Sequence, residues 1–112
     1  MIRKTVFIVG ISLTGFFFLT GQTGLKGDPA LGKTIFEKNC ASCHGKKGEG
    51  LGPGAQMPNF SDKRYQESRT NQQLFDKITG GGKGSGMPAW EKLLTVPDRW
   101  NVIAYIRTLA TH

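Results

Sequence analysis

Three segments of the chain place apolar residues at the spacing of an α-helix. In the first, Leu31, Ile35 and Phe36 fall on one helical face after Asp28, which can cap the first turn. A proline follows Asp28 and is suited to the first helical position, where a missing N–H costs nothing. We therefore expect a helix that begins after Asp28 and ends near Cys40.

The other two segments carry similar start and stop signals. In the second, Thr70 is a candidate N-cap, Leu74 and Ile78 lie one turn apart, and Gly80 marks the end. In the third, Thr95 is the candidate N-cap. The residues that follow it form a wide apolar face: Trp100, Val102, Ile103, Tyr105, Ile106 and Leu109.

Glycine and proline separate the helical segments. Residues 45–60 contain five glycines and two prolines, and residues 80–90 read GGGKGSGMPAW. No stretch alternates apolar and polar residues as a half-buried strand does. The pattern therefore predicts an all-α fold with three main helices and two long glycine-rich loops.

The N-terminus has the character of a targeting segment. Arg3 and Lys4 precede an uncharged run from Thr5 to Thr20, which is typical of a secretory signal peptide. The run is shorter than the roughly 20 residues that span a bilayer comfortably, and an uncleaved membrane anchor is the alternative. We predict that residues 1–24 are a signal peptide or N-terminal membrane anchor and that residues 25–112 are one domain. The protein is then exported, and is either periplasmic or tethered to the membrane facing the periplasm.

The charge of the predicted domain is moderately basic. Removing Arg3 and Lys4 from the 15 Lys and Arg leaves 13 against 8 Asp and Glu, a net charge of about +5. The lysines are dispersed and are not interleaved with aromatic residues, so nucleic acid is not expected as a partner. A modest basic excess favours acidic protein partners.

The stretch EKNCASCHGKKG brings together Cys40, Cys43 and His44, which are the only cysteines and one of two histidines. A zinc site needs four ligands, and the only other histidine is the C-terminal His112. A redox dithiol usually needs a βαβ context, and no strand is predicted. A c-type haem needs Cys-x-x-Cys-His with nothing left over: two thioethers and one axial nitrogen. Attachment to haem would also block thiols that do not persist free outside the cytoplasm.

Two methionines compete for a second axial position on the iron. Met87 lies far enough beyond His44 for the chain to reach the opposite face of the ring, and a proline stiffens the backbone after it. Met57 lies much closer to His44 in sequence, and either methionine could instead fill the core. We expect Met87 to be the ligand. A ligating imidazole should also donate its other N–H, and a carbonyl of the GLGPG loop, held by Pro53, is the nearest candidate.

The chain resembles the small monohaem class I c-type cytochromes, through GKTIFEKNCASCHG, GLGPG, MPNF, FDKITGGGKGSGMPAW and WNVIAYIRTL. The resemblance implies the class I cytochrome c fold, with three main helices wrapped around one covalently attached haem c. It implies that Cys40 and Cys43 form the thioethers, that His44 and Met87 ligate the iron, and that the carbonyl of Pro53 accepts from the histidine. It also implies that the first and last helices cross.

Two further groups of residues are candidates for contacts of this haem. The polar tip of Trp90 could bond a haem propionate, whereas we expect Tyr105 to serve mainly in the core. Lys46, Lys47 and Lys83 flank the two loops and could steer an acidic redox partner, although a plain solvated surface explains them equally well.

These features predict an electron carrier that passes single electrons between redox proteins and is not an enzyme. One alternative is a haem-based gas sensor or a peroxidase with a labile distal methionine. Another is a tethered electron-transfer subunit of an oxidase or dehydrogenase complex. A thiol–disulfide oxidoreductase is the remaining alternative. The electron donor and acceptor, the reduction potential and the oligomeric state do not follow from the sequence.

Overall fold

A computed structural model describes Gly10, residues 26–50 and residues 57–112. Within these residues the protein has five helices and no strand: α1 (Pro29–Asn39), α2 (Ala41–His44), α3 (Lys63–Ser68), α4 (Asn71–Gly80) and α5 (Val96–Thr108). The three long helices α1, α4 and α5 are the three that the sequence predicts. The predicted leader, apart from Gly10, and Pro53 lie outside the described residues.

The predicted caps hold the long helices at their N-termini. The Asp28 side chain accepts from the Ala30 N–H at α1. Thr70 and Gln73 form a reciprocal capping box at α4, and Thr95 accepts from the Asp98 N–H at α5. Each cap satisfies donors that a helix start leaves free, which explains why sequence signals located these helices well.

The core lies where α5 packs against α1 and α4. Its apolar residues are almost fully removed from water: Phe36, Phe60, Leu74, Ile78, Val102, Ile103 and Ile106. The predicted apolar face of α1 is wrong in one position, because Leu31 is 58% exposed. The face of α1 that packs on α5 is centred on Gly32 and Phe36, which are both buried.

The crossing of α1 and α5 depends on the absence of a side chain at Gly32. A Cβ atom on Gly32 would overlap the carbonyl oxygen of Asn101 and lie 3.0 Å from the Cβ of Tyr105. The Asn101 side chain in turn accepts from the Asp28 N–H at 2.8 Å. The two helices therefore meet backbone to backbone, as the resemblance implies, and the ring of Tyr105 packs 5.3 Å from that of Phe36.

The short helix α3, which the sequence did not predict, is fixed by hydrogen bonds from distant residues. Buried Gln66 donates to the carbonyls of Phe60 and Ile106 at 2.7 and 2.8 Å. Arg107 of α5 donates to the backbone and side-chain oxygens of Gln66 and to the carbonyl of Arg69. Burial lowers the pKa of the Arg107 guanidinium. These side chains join α3 to α5 and to Phe60.

We expect Gln66→Ala to lower the free energy of unfolding by about 2–4 kcal/mol, because it removes the side-chain donor to the carbonyls of Phe60 and Ile106 and one of the acceptors of Arg107. Chemical denaturation measures this loss. Gln72→Ala is the matched control, because Gln72 is exposed and its side chain donates to Asp76 on the same helix, and it should change stability by less than about 0.5 kcal/mol. Equal effects of the two substitutions would show that Gln66 does not hold α3.

Candidate functional site

A cavity of about 430 Å³ opens between the core helices and the two glycine-rich loops. It is of the size typical of small-molecule sites, and most of its wall is apolar, including Leu74, Val102 and Ile106. Five residues that carry the candidate chemistry line it: Cys40, His44, Met57, Met87 and Trp90. Cys43 is exposed and is not among the lining residues.

The Cys-x-x-Cys-His stretch folds as a tight helical turn. Cys40 ends α1 by donating to the carbonyl of Phe36 at 2.8 Å, and the His44 N–H donates to the carbonyl of Cys40 at 2.9 Å. Gly45 then leaves the turn with a φ of 88°, a conformation that favours glycine. The turn thus presents Cys40 and His44 to the cavity and leaves Cys43 at its outer edge.

Burial shifts the pKa values of two groups that face the cavity, the Cys40 thiol and the His44 imidazole. Burial, assisted by the neighbouring Cys43, raises the pKa of the Cys40 thiol to about 11. A thiol of this pKa is a poor nucleophile at neutral pH, which disfavours a thiol–disulfide oxidoreductase. Burial lowers the pKa of His44, so the imidazole is neutral at pH 7, and the neutral form is the one that binds metals.

The imidazole of His44 stacks on an aromatic ring. The centroid of the Phe60 ring lies 5.1 Å from that of His44, and the two ring planes are inclined by 23°. Its Nδ1 atom is buried and has no hydrogen-bond partner among the described residues. The predicted acceptor, the carbonyl of Pro53, lies outside those residues. Pro58, which the sequence analysis did not single out, lies in the cavity wall.

The loop that carries Met87 is fastened to the end of α4. The Gly82 N–H donates to the carbonyl of Met87 at 3.1 Å, and the Trp90 N–H donates to the carbonyl of Ile78 at 2.9 Å. Gly81 has a φ of 70°, and a Cβ atom there would lie 2.7 Å from the carbonyl oxygen of Met87. The glycines after α4 therefore bring the loop close enough for Met87 and Trp90 to line the cavity. Met57 lines it too.

Four polar residues of the cavity wall were missed by the sequence analysis. Tyr65, Arg69, Gln73 and Lys77 all line the cavity. They follow one another at four-residue steps: Tyr65 lies on α3, Arg69 directly follows α3, and Gln73 and Lys77 share one face of α4. That spacing was visible in the sequence, but it did not stand out because each residue type is also common on solvated helix faces.

The predicted lysines Lys46, Lys47 and Lys83 are all exposed. In the described part of the chain a single ion pair is formed, between Lys33 and Glu37 at 4.0 Å. None of these three lysines forms an ion pair with another residue that the structure describes. Within residues 26–50 and 57–112, none of the helices has the length and apolar character needed to cross a membrane.

The cavity fits a haem attached at the Cys-x-x-Cys-His turn. Its wall is mainly apolar and includes one thiol and one neutral imidazole. The buried Nδ1 of His44 has no hydrogen-bond partner among the described residues, so this atom still requires an acceptor for its N–H. By contrast, no group of three or more His, Cys, Asp or Glu in the described residues could hold a metal ion by itself. The donor set therefore suits an iron that arrives in a porphyrin.

Comparison with protein families gives a match over most of the chain. Residues 27–106 match the family described as cytochrome c oxidase, cbb3-type, subunit III. The chain is 35% identical over 82 residues to the cbb3-type cytochrome c oxidase subunit FixP of Bradyrhizobium sp. (strain ORS 278). That alignment covers 73% of this chain and only 28% of the length of FixP.

Smaller relatives match over nearly their whole length. Cytochrome c-554(547) of Halothiobacillus neapolitanus is 32% identical over 89 residues, which cover 74% of this chain and 98% of the relative. A solved structure of cytochrome c6 from the diatom Phaeodactylum tricornutum is similar, with a TM-score of 0.60 and 31% identity. This match covers 75% of the chain and 95% of the diatom protein.

Proposed function

The chain belongs to the class I c-type cytochromes, an electron-carrier family whose cofactor is one covalently attached haem c, and from this premise we propose that it carries single electrons between redox proteins with its iron held by His44 and Met87. Haem c supplies an iron that takes up and gives back one electron. The protein forms no bond in a substrate and is not an enzyme.

The residues around the cavity have distinct roles in this proposal. Cys40 and Cys43 would form the two thioethers, and His44 would ligate the iron through its imidazole. Met87 would supply a thioether sulfur as the second ligand, and this ligand choice would raise the reduction potential. Pro53 is the proposed acceptor for His44 Nδ1, and the acceptor keeps the imidazole in one orientation.

The polar part of the cavity wall suits the acidic groups of the cofactor. A haem carries two propionate carboxylates, and Arg69 and Lys77 supply two cations in the lining. Charge-assisted hydrogen bonds to carboxylates are stronger than neutral ones. The indole N–H of Trp90 is a further proposed donor to a propionate.

The observation that carries the proposal is that one apolar cavity is lined by Cys40, His44 and Met87 together. Absorption spectra of the purified holoprotein, oxidised and reduced, provide the test. We expect a weak far-red band from a sulfur–iron bond in the ferric state, no free thiol, and no binding of carbon monoxide to the reduced protein. Ready binding of carbon monoxide without the far-red band would instead indicate the sensor or peroxidase alternative.

The exposed lysines should steer an anionic redox partner, because opposite charge accelerates association. We expect the double substitution Lys46→Gln, Lys83→Gln to slow oxidation of the reduced protein by ferricyanide about 3- to 10-fold at low ionic strength, and less at high salt. Stopped-flow absorbance measures the rate. Lys33→Gln, Lys38→Gln removes the same charge from α1 and should change the rate less than about twofold. Equal slowing by both pairs of substitutions would show that the rate depends on net charge and not on the position of the lysines around the loops.

The similarity to FixP favours a second candidate, in which the same haem domain is a tethered subunit of an oxidase complex. In both candidates we propose that the domain is exported and faces the periplasm, with residues 1–24 acting as leader or as membrane anchor. The mass of the mature protein and its distribution between soluble and membrane fractions distinguish them. A cleaved, soluble protein contradicts tethering by this segment.

A further inference from the structure

Phe60 is the residue in closest stacking contact with the candidate iron ligand. Its ring lies 5.1 Å from the imidazole of His44, with only 23° between the planes. In the described part of the chain, no hydrogen bond to Nδ1 restrains the imidazole. A flat face against the imidazole limits rotation of that ring about its bond to Cβ. Contact with Phe60 is therefore a restraint on His44 that the structure provides directly.

Phe60 is itself immobilised by contacts on several sides. It is 5% exposed, its N–H donates to the carbonyl of Gly48 at 2.8 Å, and its carbonyl accepts from Gln66 at 2.7 Å. The rings of Phe36 and Tyr65 lie 6.4 and 5.8 Å away. A side chain held in this way can transmit its orientation to the ring stacked on it.

We propose that Phe60 is a positioning residue that sets the orientation of the His44 ring about the iron–nitrogen axis. The proposal rests on the ligation of iron by His44 described above. Partners around an iron ligand orient it and tune the metal, and here the partner is an aromatic face. Loss of the flat face would remove one of the two restraints on the imidazole, the other being its proposed hydrogen bond to Pro53, and the ring would adopt a different mean orientation. Loss of an ordinary core side chain would only weaken packing.

Two substitutions in the holoprotein separate positioning from packing. Phe60→Leu keeps an apolar side chain and removes the flat face, and Phe60→Tyr retains it. Leu74→Ala is the matched control, because Leu74 is also buried and also lines the cavity but has no ring that could stack on Phe60 or His44. Electron paramagnetic resonance of the ferric protein and the shifted NMR signals of the His44 ring report the orientation of the ligand plane.

We expect Phe60→Leu to shift the g-values and the His44 ring signals, and Phe60→Tyr and Leu74→Ala to leave both at their wild-type values. Unchanged values in Phe60→Leu, with a loss of stability like that of Leu74→Ala, would overturn the positioning role alone. A wild-type ferric protein without a histidine-bound low-spin signal would overturn the ligation and the positioning together. Should Phe60→Leu not fold, nuclear Overhauser contacts between the two rings in the reduced wild type are expected, and their absence refutes the proposal.

Discussion

Replacing Met87 with alanine should lower the reduction potential by a few tenths of a volt, within the roughly 0.8 V range that axial ligands cover. The weak far-red band of the ferric protein should disappear at the same time. A thioether sulfur favours the ferrous state, and once it is lost, water or another group can reach the iron. The reduced Met87→Ala protein should therefore bind carbon monoxide. Redox titration and absorption spectroscopy measure these changes.

Met57→Ala is the control for this experiment, because Met57 and Met87 both line the cavity. It removes the same thioether from another part of the wall. We expect it to retain the far-red band and to move the potential by less than a quarter of the Met87→Ala change. If Met57→Ala lost the band and Met87→Ala retained it, the ligand would be Met57, and the electron-carrier function would stand with a different residue.

Gly32→Ala should reduce the free energy of unfolding by at least about 3 kcal/mol. A new Cβ would overlap the backbone carbonyl of Asn101, and backbone cannot be moved aside as a flexible side chain can. The helices α1 and α5 would have to separate along the line where Phe36 is buried. For a domain of this size the loss corresponds to a fall in melting temperature of about 12 °C or more. Thermal unfolding followed by circular dichroism measures it.

Gly80→Ala is the matched control for Gly32→Ala. Gly80 is the last residue of α4, and a Cβ atom there meets nothing within 4 Å. We expect the substitution to leave stability unchanged or to raise it by about 0.5–1 kcal/mol, because alanine loses less entropy than glycine in a helix. A loss of stability at Gly80 as large as at Gly32 would contradict the argument from close approach.

The long helices were predictable because their caps are local in sequence. Asp28, Thr70 and Thr95 each bond a backbone N–H two or three residues ahead. The short helix α3 was not predictable, since Gln66 holds it through carbonyls 6 and 40 residues away. Leu31 was misplaced because the close approach at Gly32, which is a tertiary contact, selects the buried face of α1.

The candidate site was predictable where its chemistry is written as a motif. Cys40 and His44 follow from Cys-x-x-Cys-His, and the structure also places Met87 and Trp90 in the wall of the cavity. Phe60 could not be assigned in the same way, because its contact with His44 depends on how residues 57–60 return to the turn. The choice of Met87 over Met57, made from the spacing to His44, stays a prediction, since the folded cavity includes both.

The crossing of α1 and α5 predicts what happens when a protease cleaves the loop between α4 and α5. Residues 83–86 are exposed, and such loop tips are preferred sites of proteolytic nicking. A nick there leaves α1 and α4 on one fragment and Met87 and α5 on the other. The bond from Asp28 to Asn101 joins residues 73 positions apart, so it would connect the two fragments. The nicked protein should therefore behave as a non-covalent heterodimer in which one fragment carries the covalently bound cofactor and the other carries Met87, the proposed second ligand of its iron.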